Sequence, residues 1–166
     1  GKERPWVRQN ASEVIESSFD LAQQLFLQRQ HEAGTTALKE VISELLGSTT
    51  DRNSTLQLLE THFRDLDAFF LSLAQSRKAR AGKTLEFFVG ELLKQLQYPF
   101  TPQPDLGGKP DFVLPSAEAY EQHAMECIIL TCKTKLRERW RQIVTEGTRG
   151  SRFYLATNDK MTHIVF

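Results

Sequence analysis

Apolar residues in the first half of the chain recur three or four positions apart, the spacing of a helix that buries one face. Ser12 is a candidate N-cap for the first such stretch, and Gly34 and Gly47 are expected to end the first two helices. Pro99 is expected to end the last one. The pattern therefore predicts four helices, over about residues 12–33, 35–46, 56–73 and 82–97.

The second half changes character after Pro99, because turn residues and short apolar runs replace the helical spacing. Strands are predicted over 111–114, 125–132, 153–156 and 163–166, with a helix over 136–146. Helices followed by strands around a helix predict an α/β fold with a mixed sheet. The 166 residues are expected to form a single domain, with a mainly helical part over 1–78 and an α/β part over 79–166.

Composition narrows the classes of protein to consider. The longest apolar run near the centre of the chain, Cys127–Leu130, is far too short to cross a bilayer, so no membrane association is expected. Cys127 and Cys132 would face opposite sides of one strand, which disfavours a disulfide and fits a reducing cytoplasm. A net charge of zero argues mildly against nucleic-acid binding. Two basic clusters, one over 77–83 and one over 133–152, make a phosphate-facing groove plausible.

Three residues in the second half have the chemistry of a metal-dependent phosphodiesterase. Asp111 follows Pro110 at a predicted strand start, Lys133 ends the next strand, and Glu146 follows one helix later. Carboxylates hold Mg²⁺, which prefers oxygen ligands, and a lysine beside them can orient or help to deprotonate a water. In the commonest nuclease arrangement an acid precedes this lysine by two residues, but here Thr131 stands there. Glu146 can supply the carboxylate if the chain reverses after Lys133.

Taken singly, these residues also have ordinary explanations. An aspartate after proline is commonly a turn residue, and Glu146 could be a surface charge on a helix. The run Arg137–Glu138–Arg139 could be a charged helix start. It also suits base reading, since arginine donates two bonds to guanine and glutamate accepts from the cytosine amino group. Such a run could read the adjacent G·C pairs of a CC…GG site.

The stretches 109–116, 131–133 and 137–143, together with Glu146, resemble the catalytic domain of the EcoRII-like type II restriction endonucleases. This group is the branch of the PD-(D/E)XK nucleases that includes PspGI, SsoII and NgoMIV. In that branch the second acid has moved to the following helix, which matches Thr131 and Glu146. The resemblance is strongest over about residues 80 to 147.

The resemblance implies a role for each matching residue. Asp111 and Glu146 would be metal ligands, Lys133 would be the catalytic lysine, and Glu86 on the preceding helix would be a further acid at the metal. Arg137, Glu138 and Arg139 would read bases, while a base-flipping pocket is not identified, since neither Arg29 nor Trp6 is a firm candidate. The resemblance also implies Mg²⁺ as cofactor, double-stranded DNA as substrate and a prokaryotic cytoplasmic enzyme. A twofold site would suit a homodimer. EcoRII also carries a separate N-terminal effector domain, to which nothing here corresponds, so such a domain either lies outside this sequence or is lacking in this enzyme.

Two other functions stay open from the sequence. A repair or mobile-element nuclease could share the core without a fixed recognition site, and a DNA-binding module could keep the fold with a decayed site. Intact Asp111, Lys133 and Glu146 argue against the module, and the base-reading run argues against the nonspecific nuclease.

Overall fold

The computed structural model describes residues 4–46, 51–106, 108–135 and 152–159. Over these residues the chain forms a helical N-terminal half followed by a mixed sheet with helices, as predicted. The helices are α1 (Arg4–Leu46), α2 (Arg52–Thr61), α3 (Phe63–Gln95) and α4 (Ala117–His123). The strands are β1 (Thr101–Pro102), β2 (Phe112–Leu114), β3 (Ile128–Lys133) and β4 (Arg152–Thr157).

The described strands form one four-stranded sheet in the order β1-β2-β3-β4. β2 pairs antiparallel with both β1 and β3, with Phe112 opposite Leu130. β3 pairs parallel with β4, and Lys133 lies opposite Thr157. The sheet is therefore mixed, and the carboxyl ends of β3 and β4 lie at the same edge.

A hydrophobic core joins α3 and α1 to one face of the sheet. Leu85, Val89 and Leu93 recur on α3 at helical spacing, so one stripe of this helix is buried. Phe112 of β2 packs against this stripe, and its ring lies 3.4 Å from where a Cβ on Gly90 would stand. Glycine at this point thus lets the helix approach the sheet closely. Cys132 and Phe19 complete the buried cluster.

The predicted break at Gly34 is wrong. Helix α1 is 43 residues long and passes through Gly34 without interruption. A glycine inside a helix costs only about 1 kcal/mol relative to alanine, which tertiary contacts can offset. Such contacts are present here. Gly34 lies against Leu73 of α3, and the side-chain amide of Gln30 donates to the Leu73 carbonyl at 3.1 Å.

The predicted boundary between the third and fourth helices is also wrong. The chain is helical through residues 74–81, which contain neither glycine nor proline, and α3 runs on through Gly82. The break lies earlier, at His62, whose N–H donates to the carbonyls of Leu58 and Glu60. Strong helix formers between residues 74 and 81 sustain the helix where its apolar stripe is interrupted.

The end of α3 was predicted near Pro99, and the structure shows how it stops. Gln97 has a positive φ of 56°. The N–H of Gln97 donates to the Lys94 carbonyl, and the N–H of Tyr98 donates to the Leu93 carbonyl. These two bonds form a Schellman motif, which satisfies the last helical carbonyls before the chain enters the sheet.

The strands lie near their predicted positions. β2 begins one residue after Asp111, and the first part of the predicted 125–132 strand is instead a 3₁₀ turn, Ala124–Glu126. The sequence pattern missed β1, which has only two residues, and α4, which Ser116 caps by accepting from the Ala119 N–H. The predicted helix over 136–146 and the predicted strand over 163–166 lie outside the described residues.

The chain divides into two compact units. One comprises Gly1–Asp20 with Ala81–Phe166, and the other comprises Leu21–Arg80. The boundary falls close to the predicted change from the helical to the α/β part, although the N-terminal helical turns belong with the sheet. Whether the whole chain behaves as a single domain stays a prediction. None of the described helices is long and apolar enough to cross a membrane.

Candidate active site

Asp111 and Lys133 lie together beside the end of β3. Asp111 is buried, and its carboxylate accepts a hydrogen bond from the main-chain N–H of Cys132, with 2.6 Å between nitrogen and Oδ2. The Nζ of Lys133 lies 3.5 Å from the same Oδ2. An ion pair and a main-chain bond on one oxygen hold the acid in a defined place.

Strand pairing explains why two residues far apart in sequence meet. Asp111 immediately precedes β2, and Lys133 is the last residue of β3. Because β2 and β3 are antiparallel, the start of one strand lies beside the end of the other. The Lys133 side chain is more exposed than that of Asp111, at 26% against 11%, so the ammonium faces outward from a buried acid.

Glu86 of α3 is the second acid at this place. Its side chain is half-buried, and Oε2 accepts from the amide Nε2 of Gln103 at 3.1 Å. Burial raises the pKa of Glu86 above its ordinary value, and the negative charge of Asp111 raises it further. The Gln103 hydrogen bond and the charges of Lys133 and Lys83 act in the opposite direction. The Glu86 carboxyl thus feels the charges of both Asp111 and Lys133. Its role at a metal stays a prediction.

Thr131 occupies the position where the commonest nuclease arrangement has an acid. Its side chain is 2% exposed, and its hydroxyl makes no hydrogen bond within the part of the chain that the structure describes. A carboxylate at this depth would need strong compensation for its lost hydration. The carboxylate that the commonest arrangement has at this position must therefore come from elsewhere in the chain, and Glu146 stays the predicted source.

Cys127 and Cys132 are both buried and are not joined to each other. Cys132 lies between Thr131 and Lys133, and burial raises the pKa of its thiol to about 12, with the charges of Asp111 and Glu86 adding to the effect. Burial and the raised pKa therefore disfavour the thiolate, the nucleophilic form of Cys132, at neutral pH.

The site contains carboxylate oxygens, the ligand type that Mg²⁺ prefers. Asp111 and Glu86 supply carboxylates, and Mg²⁺ is commonly held by one or two carboxylates while it keeps several waters. Among residues 4–46, 51–106, 108–135 and 152–159, no group of three or more histidine, cysteine, aspartate or glutamate side chains could hold a metal. Two carboxylate donors would leave several coordination positions of a bound Mg²⁺ to water.

Several predicted site residues lie outside the described residues. These are Arg137, Glu138, Arg139 and Glu146. Of the basic cluster near residue 80, Arg77 donates to the Gln30 side chain at 3.0 Å, and the guanidinium of Arg80 lies over the Phe26 ring. Arg29 and Trp6 are both exposed, and nothing in their described surroundings marks either as part of a pocket for a flipped base.

Sequence reasoning missed Gln103. It lies between Pro102 and Pro104, a context that indicates a turn, and its side chain carries no charge that would suggest a site. Only the fold shows that it bonds to Glu86 with its side chain and to the Asp111 carbonyl with its N–H.

Comparisons with known proteins show the family and the fold of this chain. The family described as EcoRII C terminal matches residues 47–164. The type II restriction enzyme EcoRII of Escherichia coli is 31% identical over 157 residues, which cover 89% of this chain and 36% of EcoRII. The type II restriction enzyme SsoII of Shigella sonnei is 34% identical over 111 residues, which cover 60% of this chain and 35% of SsoII. The chain thus spans about a third of the length of these relatives.

Solved structures show the same fold. Metal-depleted Ecl18kI in complex with uncleaved DNA superposes with a TM-score of 0.84 at 28% identity, covering 98% of this chain and 57% of Ecl18kI. A complex of the restriction endonuclease PspGI with substrate DNA gives a TM-score of 0.52 at 22% identity over 80% of this chain and 69% of PspGI, a likeness of fold alone. The predicted restriction-endonuclease fold, a mixed sheet with helices, is confirmed. The chain belongs to the EcoRII C-terminal family.

Proposed function

We propose that this chain is the catalytic part of a type II restriction endonuclease. It would hydrolyse phosphodiester bonds of double-stranded DNA with Mg²⁺ at a CC…GG site with one or more central base pairs. The pairing of Asp111 with Lys133 at 3.5 Å, with Glu86 in electrostatic contact, carries the proposal. The relatives support it, since EcoRII and SsoII are type II restriction enzymes and Ecl18kI has been solved with DNA.

Each described residue would have a separate part in the reaction. Asp111 and Glu86 would hold the metal together with Glu146. Mg²⁺ would offset the negative charge on the phosphate and on the leaving 3′ oxygen. Lys133 would orient the attacking water and offset phosphate charge, a role that the position of its Nζ beside Asp111 and its partial exposure support. The Cys132 N–H fixes the orientation of Asp111 by a bond that needs no side chain.

The predicted helix after Lys133 would carry Glu146 and the base-reading residues. Parallel neighbouring strands are in general joined by a crossover, usually a helix, so the parallel pairing of β3 with β4 supports this prediction. Arg137 and Arg139 would donate to guanine, and Glu138 would accept from cytosine. A twofold site further favours a homodimer. A prokaryotic cytoplasmic location stays a prediction.

A plasmid digest with Mg²⁺ tests the proposal. Discrete fragments are expected, and their end sequences should show CC…GG. A smear would indicate a nonspecific nuclease of the same fold, and no cleavage would indicate a DNA-binding module. The digest should stop on addition of a chelator and resume on addition of excess Mg²⁺.

Substitutions at the site should separate catalysis from folding. Asp111→Ala, Lys133→Ala and Glu146→Ala should each reduce cleavage by about 10³-fold or more, since each removes charge stabilisation or a metal ligand. DNA binding should persist in the two carboxylate variants, because loss of an acid reduces repulsion of phosphates. Glu86→Ala should have a milder effect. Wild-type turnover by any of the first three variants would remove that residue from the site.

A further inference from the structure

We propose that Gln103 is a positioning residue that holds the Glu86 carboxylate beside Asp111 for cation binding. The inference rests on the proposed function, in which Glu86 and Asp111 are metal ligands. It adds a residue that has no charge and does not itself coordinate the cation.

Gln103 bonds to the carboxylate of Glu86 with its side chain and to the main chain of Asp111 with its own main chain. Its side-chain Nε2 donates to Glu86 Oε2 at 3.1 Å, and its main-chain N–H donates to the Asp111 carbonyl at 2.9 Å. Glu86 lies on α3, whereas Asp111 precedes β2, so these acids belong to different elements of the fold. Gln103 therefore connects the helix that carries one acid to the chain segment that carries the other.

The backbone conformation of Gln103 indicates that glutamine stands at this position because of its side chain and not because of the turn that it forms. Gln103 has a positive φ of 45°, a region that glycine or asparagine adopts more readily than glutamine does. Gln103 also precedes Pro104, which further restricts its backbone. A turn alone would be served better by another residue, whereas the hydrogen bond to Glu86 needs the reach of a glutamine amide.

A neutral donor suits the role of restraining a metal ligand. A lysine or arginine here would offset the charge of Glu86 and compete with the cation, whereas an amide leaves that charge in place. The amide bonds only to Oε2 of the two carboxylate oxygens. A glutamate held in one orientation loses less conformational freedom when a cation binds, so restraint before binding raises affinity.

The hydrogen bond between Gln103 and Glu86 is exposed to solvent. Its loss should therefore change the free energy of unfolding little, even where it changes the affinity of the site for a cation. Gln103 is exposed and Glu86 is half-buried. An exposed neutral bond contributes little to folding, because water replaces it in the unfolded chain. The variant of choice is Gln103→Asn, since asparagine tolerates positive φ but is one methylene too short to keep the contact.

Gln97 provides a matched control, because it is also a glutamine with positive φ and is exposed. Its N–H donates to the Lys94 carbonyl at the end of α3. Gln97→Asn therefore repeats the same chemical change on the same kind of backbone, away from Glu86 and Asp111. It should leave metal affinity and cleavage unchanged.

Binding of Mn²⁺ to the chain without DNA is the first measurement, made by electron paramagnetic resonance for wild type and both variants. Mn²⁺ prefers the same oxygen ligands as Mg²⁺. Gln103→Asn should weaken binding by about tenfold, the lower end of the range for residues that orient metal ligands. The Mg²⁺ concentration for half-maximal cleavage should rise by the same factor, while kcat at saturating Mg²⁺ should stay within about twofold. The melting temperature should stay within about 2 °C.

Unchanged Mn²⁺ affinity in Gln103→Asn would overturn the inference, as would an equal loss in Gln97→Asn. A loss of metal affinity that follows a large fall in melting temperature would also overturn it, because that pattern marks a structural role. The proposed function can fail separately. If the wild type cuts no DNA, the Mn²⁺ titration still tests the role of Gln103. A wild type that binds no Mn²⁺ would contradict both the proposed function and the proposed role of Gln103.

Discussion

At the scale of single residues, the site places like charges close together. Asp111 and Glu86 interact unfavourably in the absence of metal, and Lys133 offsets only part of this repulsion. Such an arrangement costs stability in the metal-free chain and is relieved when a cation binds. The repulsion between these two acids should thus lower the melting temperature of the metal-free chain, and this effect can be measured separately from catalysis.

The first prediction concerns Glu86→Gln in the presence of a chelator. The pKa of Glu86 is raised in the folded chain, so the native state binds this proton more tightly than the unfolded state does. The contribution of Glu86 to stability is therefore present below about pH 4.5, the ordinary value, and is lost as pH rises through the raised pKa. At pH 7–8 the variant should melt about 1–3 °C above wild type, and the gain should vanish near pH 4. Melting curves at several pH values measure this.

Glu91→Gln is the control for that series. Glu91 lies on the same helix and pairs with Lys94 at 2.7 Å, and the Lys94 side chain is well exposed. An exposed pair contributes little, so this change should give no gain at pH 8 and no comparable pH dependence. A Glu86→Gln variant that melts below wild type at pH 8 would contradict the first prediction. Mg²⁺ should stabilise wild type more than the variant.

The second prediction concerns Cys132. Because its pKa is raised to about 12 and its side chain is buried, the native thiol should resist iodoacetamide at pH 8. Cys127 is also buried, and burial raises the pKa of its thiol too. Mass spectrometry should find neither cysteine alkylated in the native chain and both alkylated in guanidinium chloride. Rapid labelling of native Cys132 would show that the end of β3 opens frequently.

Sequence reasoning reached the charged residues of the site but not their neutral partner. Asp111 and Lys133 could be placed together because acid, strand and lysine follow a spacing with a chemical meaning. Gln103 depends on a turn that brings residue 103 next to residue 86, and a neutral amide in a proline-rich turn gives no signal of that contact. The contact between Gln103 and Glu86 depends on how α3 and the turn at residue 103 pack together, which the local sequence pattern does not show.

At the scale of elements, helix identity was predictable and helix length was not. The apolar stripes of α1 and α3 follow the helical period, since one face of each packs in a core. Gly34 and the apolar gap near residue 78 were interpreted as breaks, but contacts with a neighbouring helix and strong helix formers carry the chain through both. Short elements such as β1 are set by pairing with β2, which leaves no period to detect.

The third prediction follows from the continuity of α1. A Cβ at Gly34 would lie 3.5 Å from Leu73 Cδ1, an ordinary van der Waals contact, so alanine fits without movement. Gly34→Ala should stabilise the chain by about 0.5–1 kcal/mol, the helix-propensity difference. Thermal unfolding should register this as a rise of about 2–4 °C.

Gly90→Ala is the informative comparison for Gly34→Ala. At Gly90 the added methyl would meet the Phe112 ring at 3.4 Å within the core, so the ring must give way slightly. The gain there should be smaller than at Gly34, or absent. A destabilised Gly34→Ala variant would mean that α1 does not pass through Gly34 as a regular helix.

At the scale of the whole molecule, the net charge of zero gives no sign of the two basic clusters that could contact DNA phosphates. The basic residues are concentrated over 77–83 and 133–152, and acidic residues elsewhere balance them. Arg77 and Arg80 already have contacts within the helical unit, with Gln30 and Phe26. The stretch after Lys133 stays the predicted base-reading segment. A role of that segment in specificity would distinguish a restriction enzyme from a nonspecific nuclease.

The last prediction tests that role. Arg137→Ala or Arg139→Ala should weaken binding to a CC…GG duplex by about tenfold or more, since each good base contact is worth roughly 1–3 kcal/mol of discrimination. Binding to a scrambled duplex should fall much less. Glu138→Ala should relax discrimination at one base pair without the affinity loss of a removed phosphate contact.

Phosphate-only contacts predict equal losses on both duplexes and a shallower dependence on salt. Titrations of each variant against both duplexes at two salt concentrations separate these cases, and Lys78→Ala serves as a control outside the run. Equal losses on both duplexes would remove the base-reading role and with it the main argument for a fixed recognition site.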